Sequence, residues 1–360
     1  MSEEALERYR AKRDFSATPE PAPEAPAEAE PAERPRFVVQ EHHARRLHWD
    51  FRLEHDGVLV SWAVPKGVPA DPSVNHLAVH TEDHPMSYIG FEGEIPKGNY
   101  GAGVVTIWDK GTYECLKWEP SEVMVVLHGE RVMGRYVLFQ TGADQWMIHR
   151  MDPPQDPTRE PMPDRILPMR ATPGELPSDD AAYGYEIAWD GLRTIAYGEG
   201  GRIRLQDADG EDATARFPEL GRMGRAFGSR EVILDGEIVA LDADGQPDGG
   251  RLDRRLRGAD SESAARRLAE DVPVTYMIYD LLYLDGRLLF DRRYADRRAR
   301  LDELGLNGFH WQTPSHHVGD GGPLVALAGQ RGLAGVVSKR LESAYRPGEQ
   351  SPDWIEIRSR

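Results

Sequence analysis

The sequence predicts a small β-barrel or sandwich followed by an α+β domain. The first prediction rests on short β-rich segments with turn residues between them, which recur from about residue 37 to residue 148. The second rests on a change of pattern beyond a proline-rich segment at 153–165, where strands and helices are mixed. A chain of 360 residues is long enough for about two domains.

Residues 1–35 are expected to lie outside the first domain, as an amphipathic segment and a flexible tether. The amphipathic pattern covers residues 5–13. Residues 19–35 hold six prolines and five glutamates with almost no bulky apolar side chains. Such a segment cannot bury enough apolar surface to offset the entropy of ordering it.

Ordered structure is expected from Phe37 onward. In the first domain we predict strands at 37–39, 48–54, 58–64, 77–79, 104–108, 113–116, 123–127, 136–139 and 146–148. Polar side chains inside a barrel of this kind would form a site rather than a core. In the second domain we predict strands at 232–234 and 274–279 and helices at 294–304 and 322–332.

The composition limits the function. There are 61 acidic and 44 basic residues, a formal net charge of −17, which speaks against general coating of nucleic acid but allows a small basic cleft. The single cysteine, Cys115, excludes an intrachain disulfide and a cysteine zinc site, as expected in a reducing compartment. With no apolar run of membrane-spanning length and no signal-peptide pattern, we expect a cytoplasmic protein without a membrane partner.

The predicted strand at 48–54 carries the most specific chemistry. Its alternation places His48, Asp50, Arg52 and Glu54 on one face and Trp49, Phe51 and Leu53 on the other. The first face offers two metal ligands and a guanidinium that matches a phosphate, and His42 can supply a third ligand from the preceding loop. The alternative is a solvated strand face that happens to hold a histidine.

Three separated motifs in the first domain resemble the 3′-phosphoesterase domain of bacterial end-joining DNA ligase D. They are His42 together with residues 48–52, the Thr-Glu-Asp-His-Pro sequence at 81–85, and the glycine-rich run at 91–103. The resemblance extends from about Arg13 to Asp152. It implies a mainly β barrel at 36–152 that acts on DNA 3′ ends in double-strand break repair by end joining.

The resemblance further implies a manganese-dependent enzyme that removes a terminal ribonucleoside and then the 3′-phosphate, leaving a hydroxyl. By matching positions, three groups of residues acquire expected roles. The metal would be held by His42, His48 and Asp50. The scissile phosphate would be contacted by Arg52, His84 and Tyr88. The site would be supported by Arg13, Asp14, Glu20 and Lys66. Nitrogen and oxygen ligands of this kind suit Mn²⁺.

Some of these positions have simpler interpretations. His84 could be a turn histidine that caps a loop, Tyr88 a packing aromatic, and Lys66 a solvated turn residue. The chain also departs from the family, with Glu41 where a lysine is usual and His76 where an arginine is usual. These two departures predict that contacts with the phosphates of the substrate are weaker or are made by other residues.

Residues 166–360 resemble the α+β nucleotidyltransferase fold of ligase adenylation domains, through motifs at 186–193, 234–239, 279–286, 333–340 and 354–358. The chemistry differs from that family. Ala188 replaces the lysine that accepts AMP, Ala334 replaces a metal-binding glutamate, and Glu356 replaces a lysine that contacts the α-phosphate. The chain also ends at Arg360, where a complete ligase core continues into an OB-fold. We therefore expect that the ligase site is inactive and does not form a covalent AMP adduct from ATP.

Three residues of the ligase pattern persist in this domain, namely Arg193, Glu237 and Tyr279. We interpret them mainly as fold determinants, with a vestigial nucleotide pocket as the alternative. The whole chain is thus expected to be an active 3′-end phosphoesterase joined to a silent ligase-like domain, with a Ku-like protein or a separate ligase as a possible partner. The rival hypothesis is a non-catalytic scaffold that binds DNA ends or repair proteins.

Overall fold

The computed structural model describes residues 6–22, 34–259 and 261–359. The chain forms two compact units, Met1–Arg159 and Glu160–Arg360. Within the described residues, no helix is both long and apolar enough to cross a membrane.

The first unit consists almost entirely of strands. It contains a short helix α1 (Glu7–Ala11), a 3-10 helix (Met86–Gly90) and ten strands: β1 (Arg36–His43), β2 (Leu47–His55), β3 (Val58–Val64), β4 (Asn75–His80), β5 (His84–Pro85), β6 (Gly93–Ile95), β7 (Gly103–Glu119), β8 (Glu122–Gly129), β9 (Met133–Gln140) and β10 (Gln145–Arg150).

Eight of these strands close into an antiparallel barrel in the order β1-β2-β3-β4-β10-β9-β8-β7, with β7 pairing back onto β1. The barrel, rather than the sandwich, is therefore the correct alternative. All eight strands contribute apolar side chains to one interior core, which includes Phe51, Trp62, Tyr113, Val125 and Ile148. The expectation that polar residues inside the barrel form the site is wrong, because the polar side chains of β1 to β3 lie on its outer wall.

The outer wall is covered by a second apolar cluster. Its members come from the N-terminal segment, from β3 and β7, and from residues 88–95: Leu6, Tyr9, Val58, Leu59, Tyr88, Phe91, Ile95 and Val105. Glu20 is only 4% exposed beneath this cover. The predicted tether is thus wrong for residues 19–22, since a buried carboxylate with partners holds them in place. Residues 23–33 of that tether lie outside the described residues.

Strand β7 is longer than the sequence predicts. The segment Asp109–Lys110–Gly111 has the composition of a turn, yet it continues a strand of 17 residues. The Asp109 carboxylate accepts hydrogen bonds from the backbone of Lys110, Glu130 and Val132. A side chain at Gly111 would collide with the carbonyl oxygen of His128, so this glycine permits close approach of β8. The strand therefore pairs with β1 and with β8 along its length.

The second unit is α+β, in agreement with the sequence. It contains β11 (Arg170–Pro173), β12 (Tyr183–Ala188), β13 (Leu192–Glu199), β14 (Arg202–Asp207), β15 (Val232–Ala240), α2 (Gly249–Gly258), α3 (Glu262–Asp271), β16 (Val274–Leu284), β17 (Arg287–Leu288), α4 (Tyr294–Glu303), β18 (Trp311–Gln312), β19 (His317–Val318), α5 (Gly321–Gln330), β20 (Gly335–Arg340) and β21 (Gln350–Arg358).

These strands form two sheets. The first has the order β11-β21-β20-β12-β19, and the second has the order β14-β13-β15-β16-β17 with β18 added beside β16. The larger core lies against the second sheet and includes Leu205, Phe227, Leu234 and Ile278. Three 3-10 segments complete the unit, at Asp180–Ala182, Thr214–Arg216 and Pro218–Phe227.

Candidate metal and phosphate site

Strand register assembles the candidate site on the outer wall of the barrel. His42 lies opposite His48, and Gln40 lies opposite Asp50, in the pairing of β1 with β2. Side chains of opposed residues share one face of a sheet. His42 is thus part of β1 rather than of a preceding loop, and one ligand atom from each of His42, His48 and Asp50 lies within 4.8 Å of the other two.

Both imidazoles are oriented by backbone carbonyl groups. His42 Nε2 lies 2.8 Å from the oxygen of Gly101, and His48 Nδ1 lies 3.0 Å from the oxygen of Arg46. Each of these nitrogens must therefore donate, which leaves the other nitrogen with a lone pair. Those two nitrogens point toward Asp50, with His42 Nδ1 at 3.5 Å and His48 Nε2 at 3.6 Å from its oxygens. Two imidazoles and a carboxylate arranged in this way fit a divalent ion such as Mn²⁺.

Arg52 connects the metal-ligand set to the rest of the site. Its guanidinium is buried and donates to Gln40 Oε1 at 2.8 Å, to Ser61 Oγ at 2.8 Å and to Asp50 Oδ2 at 2.9 Å. Burial alone would raise the pKa of Asp50, but the positive charge of Arg52 lowers it, and that pKa lies well below its usual range. Asp50 is therefore an anion, and most of the N–H groups of Arg52 already have partners.

His84 lies beside Arg52 and not in an isolated turn. It forms β5, paired with Leu59 of β3, and is 4% exposed. Its Nδ1 is 2.8 Å from the oxygen of Glu82 and 2.9 Å from Arg52 Nη1, and its Nε2 is 3.3 Å from Arg13 Nη2. Burial, and then the charges of Arg52 and Arg13, hold the pKa of His84 well below its usual value. The imidazole is therefore neutral at pH 7.

Tyr88 both packs and forms a hydrogen bond. Its ring meets that of His84 edge-on with centroids 4.8 Å apart, and the Arg52 guanidinium lies 4.9 Å from its centroid. Its hydroxyl donates to Glu20 Oε1 at 3.0 Å. The same oxygen accepts from Arg13 Nε at 2.8 Å, and Arg13 also donates to Glu82 at 3.0 Å. The structure therefore brings Tyr88, Arg13 and Glu20 to the site.

Two expected supporting residues are exposed, and the structure gives neither a contact that tests its role. Asp14 is exposed, and its carboxylate accepts hydrogen bonds from the backbone and the hydroxyl of Ser16 in a local turn. Lys66 is exposed in the turn that follows β3. Their expected roles toward the substrate therefore rest on the resemblance alone.

A second cluster of charged groups lies in the other unit. Glu186 is buried, with Lys339 Nζ at 2.5 Å, Arg298 Nη1 at 3.0 Å and the hydroxyl of Tyr294 at 2.7 Å. Nearby, Arg193 donates to Asp235 at 2.7 Å. Each of these two carboxylates thus has a cation of the chain beside it.

Comparison with known proteins follows the division into two units. Residues 40–140 match the family described as the DNA ligase D 3′-phosphoesterase domain, and residues 175–358 match the ATP-dependent DNA ligase domain. The chain belongs to the DNA ligase D family. This confirms the resemblance, the barrel and the ligase-type fold of the second unit.

Individual members of the family are similar over nearly the full chain. The multifunctional non-homologous end joining DNA repair protein LigD of Mycobacterium tuberculosis is 44% identical over 355 residues, covering 97% of this chain and 44% of that protein. The Pseudomonas aeruginosa protein is 35% identical over 410 residues, covering 99% and 47%. The chain therefore spans less than half the length of these relatives. A solved structure, mycobacterial DNA ligase D complexed with ATP and MES, is 34% identical, with a TM-score of 0.47 and coverage of 54% of this chain and 60% of that one.

The three altered ligase positions of this DNA ligase D chain lie on neighbouring strands. Ala188 ends β12 and pairs with Gly335 of β20, directly after Ala334. Glu356 lies in β21, opposite Val337 of β20, and accepts a hydrogen bond from Arg358 at 3.0 Å. The changes are thus concentrated in one part of the sheet.

The persistent ligase residues have the contacts of fold determinants. Glu237 accepts hydrogen bonds from the hydroxyl of Tyr279 at 2.9 Å and from the backbone of Gly191 at 3.3 Å. Arg193 Nε and Asp235 Oδ1 are nevertheless buried without a hydrogen-bond partner among the described residues. The alternative of a vestigial pocket therefore stays open.

Sequence reasoning missed several residues that support the site. Gln40 fixes Arg52 and also donates to the backbone oxygens of Tyr88 and Phe91 at 3.2 and 2.9 Å. Ser61 binds the same guanidinium, and Glu82 binds both Lys12 and Arg13. Gln40 could have been predicted from the sequence, because the alternation in β1 that places His42 on the outer face also places Gln40 there. Ser61 had none, because a serine in an apolar strand is uninformative.

The two departures from the family occupy different surroundings. The imidazole of His43 lies 2.6 Å from a carboxylate oxygen of Glu41, so the unusual acidic residue has a local partner. His76 Nδ1 lies 2.7 Å from the oxygen of Gly67, next to Lys66. Neither departure disturbs the metal-ligand set, and His76 lies beside the turn that carries Lys66.

Proposed function

We propose that the outer-wall site is a metal-dependent 3′-phosphoesterase that removes a terminal ribonucleoside, and then the 3′-phosphate, from DNA ends in repair by end joining. The observation that carries the proposal is the convergence of His42, His48 and Asp50 within 4.8 Å, next to Arg52 and His84. A scaffold that only binds DNA has no need of three open ligand atoms with oriented lone pairs.

In this mechanism His42, His48 and Asp50 would hold the ion, and Mn²⁺ is the proposed metal. A divalent ion at this position supplies polarisation of a phosphoryl oxygen and a lowered pKa for bound water. In the first hydrolysis, water attacks phosphorus and the bond to the 5′ oxygen of the ribonucleoside breaks. The second hydrolysis releases inorganic phosphate and leaves a 3′-hydroxyl.

Arg52 and Arg13 would face the negative charge that grows on the phosphate. Both are fixed before substrate arrives, Arg52 by Gln40 and Ser61, and Arg13 by Glu20 and Glu82. Fixed cations of this kind need little reorganisation during the reaction. Most N–H groups of Arg52 already have protein partners. We therefore infer that Arg52 contributes its positive charge and a single N–H group to the binding of the phosphate, rather than a bidentate pair of hydrogen bonds.

His84 would accept a proton or donate a hydrogen bond at the phosphate. It is neutral between two guanidinium groups, so it does not enter the reaction as a charged acid. A bound phosphate would offset those two positive charges and make protonation easier. Tyr88 would hold the imidazole in place through its edge-on contact.

The decisive test uses a primer-template with one 3′-terminal ribonucleotide. We expect the full chain with Mn²⁺ to convert it to a 3′-phosphate and then to a 3′-hydroxyl, and EDTA to prevent both steps. A His43→Ala variant is the matched control, because this histidine binds Glu41 and lies outside the ligand set. An unchanged primer with and without Mn²⁺ would instead favour the scaffold.

We further propose that the ligase-type unit is catalytically silent. Adenylation needs an amine at position 188, where this chain has alanine. Lys339 is a poor substitute, because it is 1% exposed and paired with Glu186. Radiolabelled ATP should leave no label on the protein, and a labelled band would overturn this part of the proposal.

The ligase-type unit then retains a binding role, and its proposed partner is a Ku-like protein or a separate DNA ligase. The proposed substrate of the whole chain is a DNA 3′ end. A cytoplasmic location stays a prediction. Co-sedimentation of the full chain with each purified partner tests the binding role. No complex with either partner would contradict it.

A further inference from the structure

The turn at 97–101 holds an exposed tyrosine beside the proposed metal ligands. Tyr100 is 48% exposed. Gly98 and Gly101 lie on either side of it with φ of 99° and 74°, in the left-handed region that favours glycine. The backbone oxygen of Gly101 lies 2.8 Å from His42 Nε2. The turn therefore fixes Tyr100 one residue away from the contact that orients a proposed metal ligand, and the proposed phosphoesterase mechanism does not use this ring.

Two cations of the N-terminal segment lie close to the ring of Tyr100. Lys12 Nζ lies 4.5 Å and Arg13 Cζ lies 5.4 Å from the ring centroid. Lys12 also donates to the hydroxyl of Tyr100 at 3.1 Å and to Glu82 at 2.9 Å, so it links the turn to the segment that precedes β5. Arg13 Nη2 lies 3.3 Å from His84 Nε2. The ring is therefore held in place, next to one of the two guanidinium groups that would face the phosphate.

Exposure distinguishes Tyr100 from the other tyrosines of the site. Tyr9 and Tyr88 are 0% and 2% exposed, and their rings contact that of His84 edge-on at 5.1 and 4.8 Å. Those two rings are part of the apolar cluster on the outer wall, and Tyr100 is not. Burial therefore accounts for the first two rings and only in part for the third. A ring that is fixed by a turn and a lysine but left half exposed offers a surface on which a nucleic-acid base can stack.

We propose that Tyr100 stacks on the base of the terminal ribonucleoside and so positions the leaving group of the first hydrolysis. This role rests on the proposed function. A phosphate held between the metal ligands and Arg13 would have Tyr100 beside it, because the ring is one residue from the partner of His42 and 5.4 Å from Arg13. Stacking on an aromatic ring tolerates any base, since every base has a π face. The contact would therefore hold each of the four ribonucleosides, and it would be absent in the second hydrolysis, where no nucleoside remains.

A binding experiment with the full chain tests this contact without turnover. Fluorescent primer-templates that end in a 3′-ribonucleoside or in a 3′-abasic ribose are titrated in EDTA, which prevents hydrolysis, and their dissociation constants are compared. We expect the wild type to bind the ribonucleoside end about tenfold more tightly. Tyr100→Ala should bind both ends equally, whereas Tyr100→Phe should keep the preference because it keeps the ring. Phe309→Ala, which removes an aromatic ring that is 87% exposed in the other unit, should behave as the wild type.

Steady-state rates with Mn²⁺ provide a second measurement. Tyr100→Ala should raise the KM for ribonucleoside removal about tenfold, and about fivefold more than it raises the KM for removal of a 3′-phosphate. The reason is that only the first substrate carries the base on which the ring would stack. Thermal melting checks that each variant folds.

Equal affinities of the wild type for the two ends, or a preference that survives in Tyr100→Ala, would overturn this role of Tyr100. So would equal effects of Tyr100→Ala on the two hydrolyses, because they would place the ring against the phosphate or the retained strand. A wild type that processes neither end would overturn the proposed function instead, and the binding preference in EDTA would still decide whether Tyr100 contacts the base.

Discussion

The two units of this chain each hold a cluster of charged side chains between strands, and the clusters differ in how their charges are matched. In the barrel, Asp50 faces the imidazoles of His42 and His48 at 3.5 and 3.6 Å, and the three residues together could hold a metal ion. In the ligase-type unit, Glu186 lies 2.5 Å from Lys339 and 3.0 Å from Arg298. In the proposed function a divalent ion joins Arg52, which lies 2.9 Å from Asp50, in completing the first cluster, whereas the second cluster has its own lysine and arginine.

The two clusters show how a proposed metal site differs from a cluster whose charges are already matched within the chain. Oriented lone pairs that converge without a proton or cation between them are costly unless a ligand binds. Carboxylates paired with cations of the chain stabilise the fold only when both partners are present. Substitutions should therefore reduce activity in the first unit and stability in the second.

Loss of a metal ligand should give the largest effect. His48→Ala is expected to lower the rate of 3′-phosphate removal about 10³-fold or more, because the ion and its charge stabilisation are lost. Mn²⁺ should also raise the melting temperature of the wild type but not of this variant. His43→Ala should behave as wild type in both measurements. A His48→Ala protein of normal activity would remove the basis of the comparison.

Breaking the buried pair in the second unit should affect stability and leave catalysis unchanged. Lys339→Met leaves Glu186 with one cation fewer, and we expect its unit to lose about 3 kcal/mol of unfolding free energy. Replacing both partners, with Glu186→Leu added, should restore part of that loss. Denaturant unfolding measures the change, and a lowered 3′-phosphatase rate in the folded variant would contradict the separation of roles.

Gln40 should have a smaller effect on the rate. Gln40→Leu removes the acceptor for Arg52 Nε, and we expect the rate to fall about 10- to 100-fold, as for other groups that orient a site. The Mn²⁺ concentration for half-maximal rate should not change, because Gln40 is not a ligand. Gln145→Leu, at an exposed position of β10, is the control. A changed metal requirement would mean that Gln40 acts on the ion instead.

The smallest expected effect is on folding stability rather than on rate, and it comes from the protonation of His84 in acid. Its pKa is lower in the folded chain than in the unfolded chain, so between those two values the unfolded chain binds more protons. Stability is therefore expected to fall as pH drops below about 6.5, by up to about 1.4 kcal/mol per pH unit from this group. His84→Gln should have a flatter profile in acid. Identical slopes for both proteins would exclude a neutral His84 in the folded state.

Local patterns predicted much of this arrangement, because the relevant periodicity lies within single strands. The alternation from His48 to Glu54 gave the correct faces, and the resemblance to the phosphoesterase family selected His84 and Tyr88. Partners that are distant in sequence could not be predicted in this way. The pairing of Gln40 with Arg52 depends on strand register, and the burial of Glu20 depends on a contact with Tyr88 that lies 68 residues away. A proline- and glutamate-rich composition indicates a tether when no such partner is considered.

The Glu186–Lys339 pair illustrates the same limit in the second unit. The sequence showed three losses at Ala188, Ala334 and Glu356, each visible as a residue type at a motif position. It did not show that the remaining lysine would be neutralised by a glutamate from a neighbouring strand. That contact joins residues 153 positions apart and is established only by folding.

One experiment tests the contrast between the two units directly. The full chain is incubated in a single tube with Mn²⁺, α-labelled ATP and a primer-template bearing a 3′-terminal ribonucleotide. We predict a primer trimmed to a 3′-hydroxyl and an unlabelled protein. A labelled protein, or a primer that is unchanged, would contradict the account.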